Sequence, residues 1–148
     1  MRKNITLDII GRLRERVPEI AYYDLWNDQI ATLAGGAVFA RPALFVEFEA
    51  IEWRQMQHGS RRGDVRLRLH VVTDAVVANG ACDKRFELSL AHFDLLRRIC
   101  GALHGMHGDG YAGMMHTTSV TNHSHAELIE SIECFVTSAV EHLGQGGA

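Results

Sequence analysis

Two runs of alternating apolar and polar residues dominate the stretch 43–74, ALFVEFEAIEWRQMQHGSRRGDVRLRLHVVTD. A period of two places Leu44, Val46, Phe48 and Ala50 on one face of a strand, with Phe45, Glu47, Glu49 and Ile51 on the other. The second run repeats this, with Val65, Leu67, Leu69 and Val71 opposite Arg66, Arg68 and His70. An antiparallel hairpin folded about Gln57 and His58 sets Phe48 against Leu67 and Val46 against Leu69, and the same register sets Glu49 against Arg66 and Glu47 against Arg68. Apolar match and charge match therefore choose one register. Each cross-strand ion pair is worth only about 0.2–1 kcal/mol, so burial of the aliphatic face must supply most of the stability.

Helical periods flank the hairpin. Asn4 is a candidate cap for a helix whose apolar stripe is Ile5, Ile9 or Ile10, Leu13 and Val17, ended by Pro18. Residues 19–29 fit either state: Ala21, Tyr23 and Leu25 alternate as a strand would, while Trp26 and Ile30 would extend a helix. A short strand through Trp26 is the preferred reading. Ala34-Gly35-Gly36 and Arg41-Pro42 bracket a loop. Asn79-Gly80 marks a turn, followed by an extended return over residues 82–88. Ser89 is read as the cap of a second helix reaching about His104, with Leu88 and Phe93 as a hydrophobic staple and Phe93, Leu96, Ile99, Cys100 and Leu103 buried against the sheet.

Residues 114–121 read as a strand. The last segment is ambiguous, because Leu128, Ile132, Val136, Ala139 and Leu143 form a helical stripe behind the capping-box pattern of Ser124 and Glu127, yet residues 132–140 also alternate. Its β-branched residues favour a strand over 129–141 paired with 114–121. Residues 144–148 are expected to form a flexible tail. The predicted class is α+β: a mainly antiparallel sheet with a long β-hairpin, packed by an N-terminal and a central helix.

Composition narrows the function classes. The 148 residues suit a single domain, 1–148, able to bury a core without staples. A net charge of -3 and an isoelectric point near 6.3 offer no global attraction to nucleic acid or anionic membrane. No apolar run approaches the roughly 18 residues of a membrane span, and MRKNITLDII lacks the pattern of a secretory signal, so a cytosolic product is expected. Cys82, Cys100 and Cys134 are odd in number and lack CxxC spacing, which argues against disulfides and a zinc knuckle. Cys100 and Cys134 are expected on buried faces, as small apolar groups.

Candidate chemistry is sparse. No GxSxG, GxxxxGK[ST] or strand-to-helix GxGxxG is present. His104, His107, His123 and His125 could surround one divalent metal, with His116 on the strand between the two pairs, but their spacing is not that of HExxH, and solvated loop histidines are the plainer reading. Glu47 and Glu49 read as half of an ion-pair ladder with Arg66 and Arg68 rather than as catalytic carboxylates. The hairpin tip carries Trp53, Met56, Arg54, Arg61 and Arg62, residue types enriched at protein interfaces, beside His58; a solvated loop is the equal alternative, and nucleic-acid binding by three arginines is the weakest reading. Those six residues and the four ladder residues are the candidate interface.

The stretches DLWNDQI (24–30), RPALFVEFEAIEW (41–53), DVRLRLHVVTDA (64–75), FDLLRRICGALHG (93–105) and IECFVTSAVE (132–141) resemble, in order and pattern, the tail-terminator or tail-completion proteins of long-tailed phages and prophages. The resemblance implies a structural virion protein without catalysis or cofactor. It also implies a homo-oligomeric ring, typically a hexamer, at the head-proximal end of the tail tube. Its partners would be the tail tube protein and a head-completion or neck protein, with no membrane contact and nucleic acid only by passage through the ring. The expected location is the virion tail or neck, and the bacterial cytoplasm during assembly. The alternatives are a small His-rich metal-binding protein or metalloenzyme, and another head–tail connector or neck protein. The histidine-rich loops of residues 104–125 are not a recognised feature of the family.

Overall fold

A computed structural model describes residues 1–30, 39–76, 78–122 and 127–144. Ala34-Gly35-Gly36, Ser124 of the capping-box pattern and most of the expected tail lie outside them. In chain order the elements are α1 (Arg2–Arg16), β1 (Tyr22–Leu25), β2 (Ala43–Phe48), β3 (Trp53–Gln55), a 3-10 turn (Gln57–Gly59), β4 (Ser60–Asp74), α2 (Phe86–Leu103), β5 (Met115–Asn122) and β6 (Leu128–His142). The strands form one sheet in the order β1-β2-β4-β6-β5, with β3 also paired to β4. The class is α+β, as the residue pattern predicts.

The hairpin has the predicted register: Phe48 lies opposite Leu67, Val46 opposite Leu69 and Glu47 opposite Arg68. Toward the tip the register slips by one residue. Trp53 stands opposite Gly63, where continuation of β2 would have set it opposite Arg62. The slip is accommodated at Gly63, because a Cβ there would meet Ile51 Cγ2 at 2.9 Å and the Glu52 carbonyl oxygen at 3.0 Å. The turn itself uses left-handed backbone at His58 (φ 59°) and Gly59 (φ 72°).

β4 then pairs along its whole length with β6, from Ser60 opposite His142 to Asp74 opposite Leu128. The last segment is therefore a strand, in agreement with its β-branched content, and its pairing with β5 is also as expected. Its long pairing with β4 was not anticipated. β1 lies parallel to β2, from Tyr22 opposite Ala43 to Leu25 opposite Val46.

Both helices pack on one face of the sheet. Ile5, Ile9 and Leu13 of α1, with Val17 just beyond it, are fully buried against Leu44, Val46, Val65, Leu67, Leu69 and Val71. The α1 stripe thus runs through Ile9, and the helix starts at Arg2, ahead of the expected cap Asn4. Its end is set by Pro18, which disfavours helical backbone at Val17. On the opposite face the residues around the crossover bury Ile30 and Phe39 with Ala43, Phe45, Val72 and Leu128. Trp26 stacks there on His70 at 3.7 Å between ring centroids.

The start of α2 departs from expectation. Residues 82–88 are not extended, because the Asp83 carboxylate accepts the backbone N–H groups of Asn79 and Arg85 and its carbonyl accepts the N–H of Phe86. These bonds close turns around Gly80 and launch the helix at Phe86, with Ser89 already inside it. The Arg85 guanidinium and these N–H groups hold the Asp83 carboxyl at about 2. Leu88 and Phe93 are exposed and form no staple. The buried stripe runs instead through His92, Leu95, Leu96, Ile99, Ala102 and Leu103, leaving Cys100 half-buried. His92 can occupy it because its ring bridges two hydroxyls, Thr73 Oγ1 and Ser131 Oγ, each at 2.8 Å.

Two predictions follow from this packing. Gly63→Ala should lower stability by about 1–3 kcal/mol through overpacking, read as a reduced urea midpoint at unchanged slope. Burial lowers the His92 pKa, outweighing the opposing pull of Glu133. A histidine that resists protonation when folded stabilises fully above its ordinary pKa, and that stability is lost as pH falls. The urea midpoint should therefore drop less in His92→Gln than in the wild type between about pH 8 and about pH 5.

Candidate functional site

The hairpin tip is tied to the sheet on one side. Arg61 donates to Glu141 of β6 from Nη2 at 2.5 Å and from Nε at 3.1 Å, and its guanidinium lies 4.1 Å from the centroid of the Trp53 ring. Arg61, and with it the chain's amino group, hold the Glu141 carboxyl below the usual range. The Leu143 N–H also reaches the Gly59 carbonyl at 2.9 Å. Arg61 and Trp53 are thus engaged with each other, whereas Arg54, Met56, His58 and Arg62 are exposed. Arg54 stands directly opposite Arg62, and like charges so placed repel unless another group intervenes.

The ladder residues have the expected register but different ion pairs. Arg68 Nε reaches Glu49 on the diagonal at 2.9 Å, and Glu47 meets His70 Nε2 at 2.7 Å. The other ring nitrogen of His70 lies 3.0 Å from Glu130, so the buried imidazole links three strands while stacked under Trp26. Arg66 has no carboxylate at ion-pair distance among the described residues. Arg66, Arg68 and Glu49 line a concavity of about 560 Å³ on the face away from the helices, together with Thr118, Val120, Ile132, Cys134 and Val136. Cys134 therefore lies half-buried on that face and not under the helices, which corrects the expectation for it.

His104 and His107 are both exposed, and His123 and His125 lie outside the described residues. His104 Nδ1 accepts the backbone N–H of His116 at 3.3 Å, and His107 Nδ1 lies 3.4 Å from the Gly105 carbonyl oxygen. The group of three potential metal ligands found among the described residues is a different one: Cys100, His116 and Glu133.

That cluster escaped the sequence reading because a strand irregularity creates it. Glu133 sits on the helix-facing side of β6, between Ser131 and Phe135, and its side chain is 3% exposed. In a regular strand residues three apart face opposite ways. The β5–β6 register shifts between His116 and Thr118, with Thr117 as the extra residue, so His116 and Ser119 both face Glu133. His116 Nε2 lies 2.7 Å from Glu133 Oε2, the Ser119 hydroxyl donates to the same oxygen, and Cys100 Sγ of α2 lies 3.7 Å from it. Burial, and then the adjacent carboxylate, push the Cys100 thiol up to about 12. It is protonated near neutral pH and is not a nucleophile. The available signal was Glu133 itself, a carboxylate in phase with Phe135 and Ala139.

No protein-family model matches the chain, and no curated protein matches it. The fold is similar to that of a chain in the solved virion of a native gene transfer agent (GTA) particle, with a TM-score of 0.53 at 14% sequence identity, covering 90% of this chain and 92% of that one.

Proposed function

We propose that this protein is a structural component of a phage-like virion or prophage, acting as a tail terminator or tail-completion protein without catalysis. The observation that carries the reading is the fold likeness to a gene transfer agent virion chain over nine tenths of both chains. The proposed assembly is a homo-oligomeric ring, a hexamer, at the head-proximal end of the tail tube. It would contact the tail tube protein on one side and a head-completion or neck protein on the other, with nucleic acid meeting it only in passage.

A ring requires a head-to-tail contact between unlike surfaces of neighbouring protomers. Two features suit that contact. The β5 edge exposes Met115 and Val120, and the neighbouring concavity combines Val120, Ile132 and Val136 with Arg66 and Arg68. The outward residues of the tip, Arg54, Met56, His58 and Arg62, lie beyond it, and Arg54 and Arg66 share a second, mixed-charge concavity with Glu52 and Asp64. Arg61 and Trp53 support this surface from within the fold, and Glu47 and Glu49 orient His70 and Arg68.

Light scattering coupled to size exclusion, with negative-stain microscopy, should give a closed ring. Reversing Arg62 and Arg66 together to Glu should raise the concentration needed for assembly by at least about tenfold, since like-charge contacts at an interface cost several kcal/mol, with far-UV circular dichroism unchanged. A monomer at every accessible concentration, with and without tail tubes, would sink the ring. A ring that caps purified tail tubes at one end supports the terminator role, and one that binds heads alone makes it a neck connector.

A further inference from the structure

We propose that Cys100, His116 and Glu133 form a binding site for one divalent transition cation of the zinc class. The proposal is independent of the virion reading and takes only His116, on β5, from the histidine-rich stretch 104–125. The three ligand atoms, one sulfur, one nitrogen and one oxygen, lie within 4.8 Å of one another and come from α2, β5 and β6. That donor set suits zinc or cobalt, and ligands around a tetrahedral zinc ion sit roughly 3.3–3.7 Å apart given its bond lengths. The sulfur-to-oxygen distance is already 3.7 Å, and the nitrogen-to-oxygen distance of 2.7 Å must open slightly. His116 has that freedom because it flanks the β5 bulge and is partly exposed.

The second observation concerns charge. Glu133 is buried, yet its contacts are a thiol, an imidazole and a hydroxyl, with no arginine or lysine among them. Elsewhere in the fold the partly exposed Glu49 and Glu141 are met by Arg68 and Arg61, and the buried Glu130 is met by the ring of His70, itself stacked under Trp26. A buried carboxylate without a permanent cation is costly, and a dication between the three groups supplies the missing charge. Binding would release the thiol proton, since a coordinating thiol is deprotonated outright. Ser119, donating to the same carboxylate oxygen, would orient the ligand from behind. A tetrahedral ion held by these three ligands would take a fourth, which water can supply.

The test uses the full chain, stripped with a chelator and titrated with cobalt and then zinc. One equivalent of cobalt should give a thiolate charge-transfer band in the near ultraviolet, displaced by one equivalent of zinc. Cys82→Ser and His107→Ala should keep the band, and Cys100→Ser should abolish it. His116→Ala should weaken zinc at least about tenfold, as loss of a ligand costs no less than loss of its supporting partner. Absence of a thiolate band in the wild type with excess cobalt overturns the proposal, whether or not the variants fold. So does zinc binding that survives unchanged in the Cys100→Ser, His116→Ala double variant, which would put the ion on other residues.

Discussion

The pairing of β4 with β6 is the constraint on which the other elements depend. Each strand is fifteen residues long and they are matched from end to end, so β6 gives the second hairpin arm a neighbour on its other side from Ser60 to Asp74. An isolated two-stranded ribbon is marginal in water. With β6 in place the hairpin becomes the middle of a sheet, and its tip is carried on three strands. The same pairing brings Glu141 to Arg61, Glu130 to His70 and Ser131 to the ring of His92.

The two faces of that sheet are stabilised differently. Beneath the helices the core is aliphatic toward α1 and includes polar groups toward α2, where Ser131, Glu133 and Thr137 of β6 alternate with Val-rich and Ile-rich neighbours on the other side. Each of these polar groups has a partner: His92 for Ser131, the Cys100, His116 and Ser119 trio for Glu133, and the Ala112 carbonyl for Thr137. Burial without such partners would cost about 1–3 kcal/mol per group. On the far face the crossover covers one end through aromatic packing, and the other end remains a charged and apolar surface open to a partner.

A structural role in a particle makes sense of this division. On the proposed reading the helix-covered side would supply stability, and the open half of the other side, next to the outer edge of β5, would supply contact surface. Of the arginines on that surface Arg68 is paired with Glu49, and a side chain already held in one geometry loses less entropy on association.

Much of the fold was legible in the residues alone because its periods are strong. Strict alternation in residues 44–48 and 65–71 located β2 and β4 and chose their register, and Ile5, Ile9 and Leu13 marked the buried side of α1. The β-branched residues of 129–140 were enough to favour strand over helix. What the chain order could not reveal were contacts between segments distant in sequence. The start of α2 depended on Asp83 satisfying backbone donors, and the rotation of its buried stripe on His92 finding hydroxyls from β4 and β6. The Glu133 cluster depended on one extra residue in β5, which turns His116 and Ser119 to the same side. Local period, with β-branched content for the last segment, therefore determined most of the helices and strands and how the first hairpin aligns. Only the tertiary structure decided which polar side chains meet inside, because a bulge and a third strand change the facing of residues without changing the pattern that precedes them.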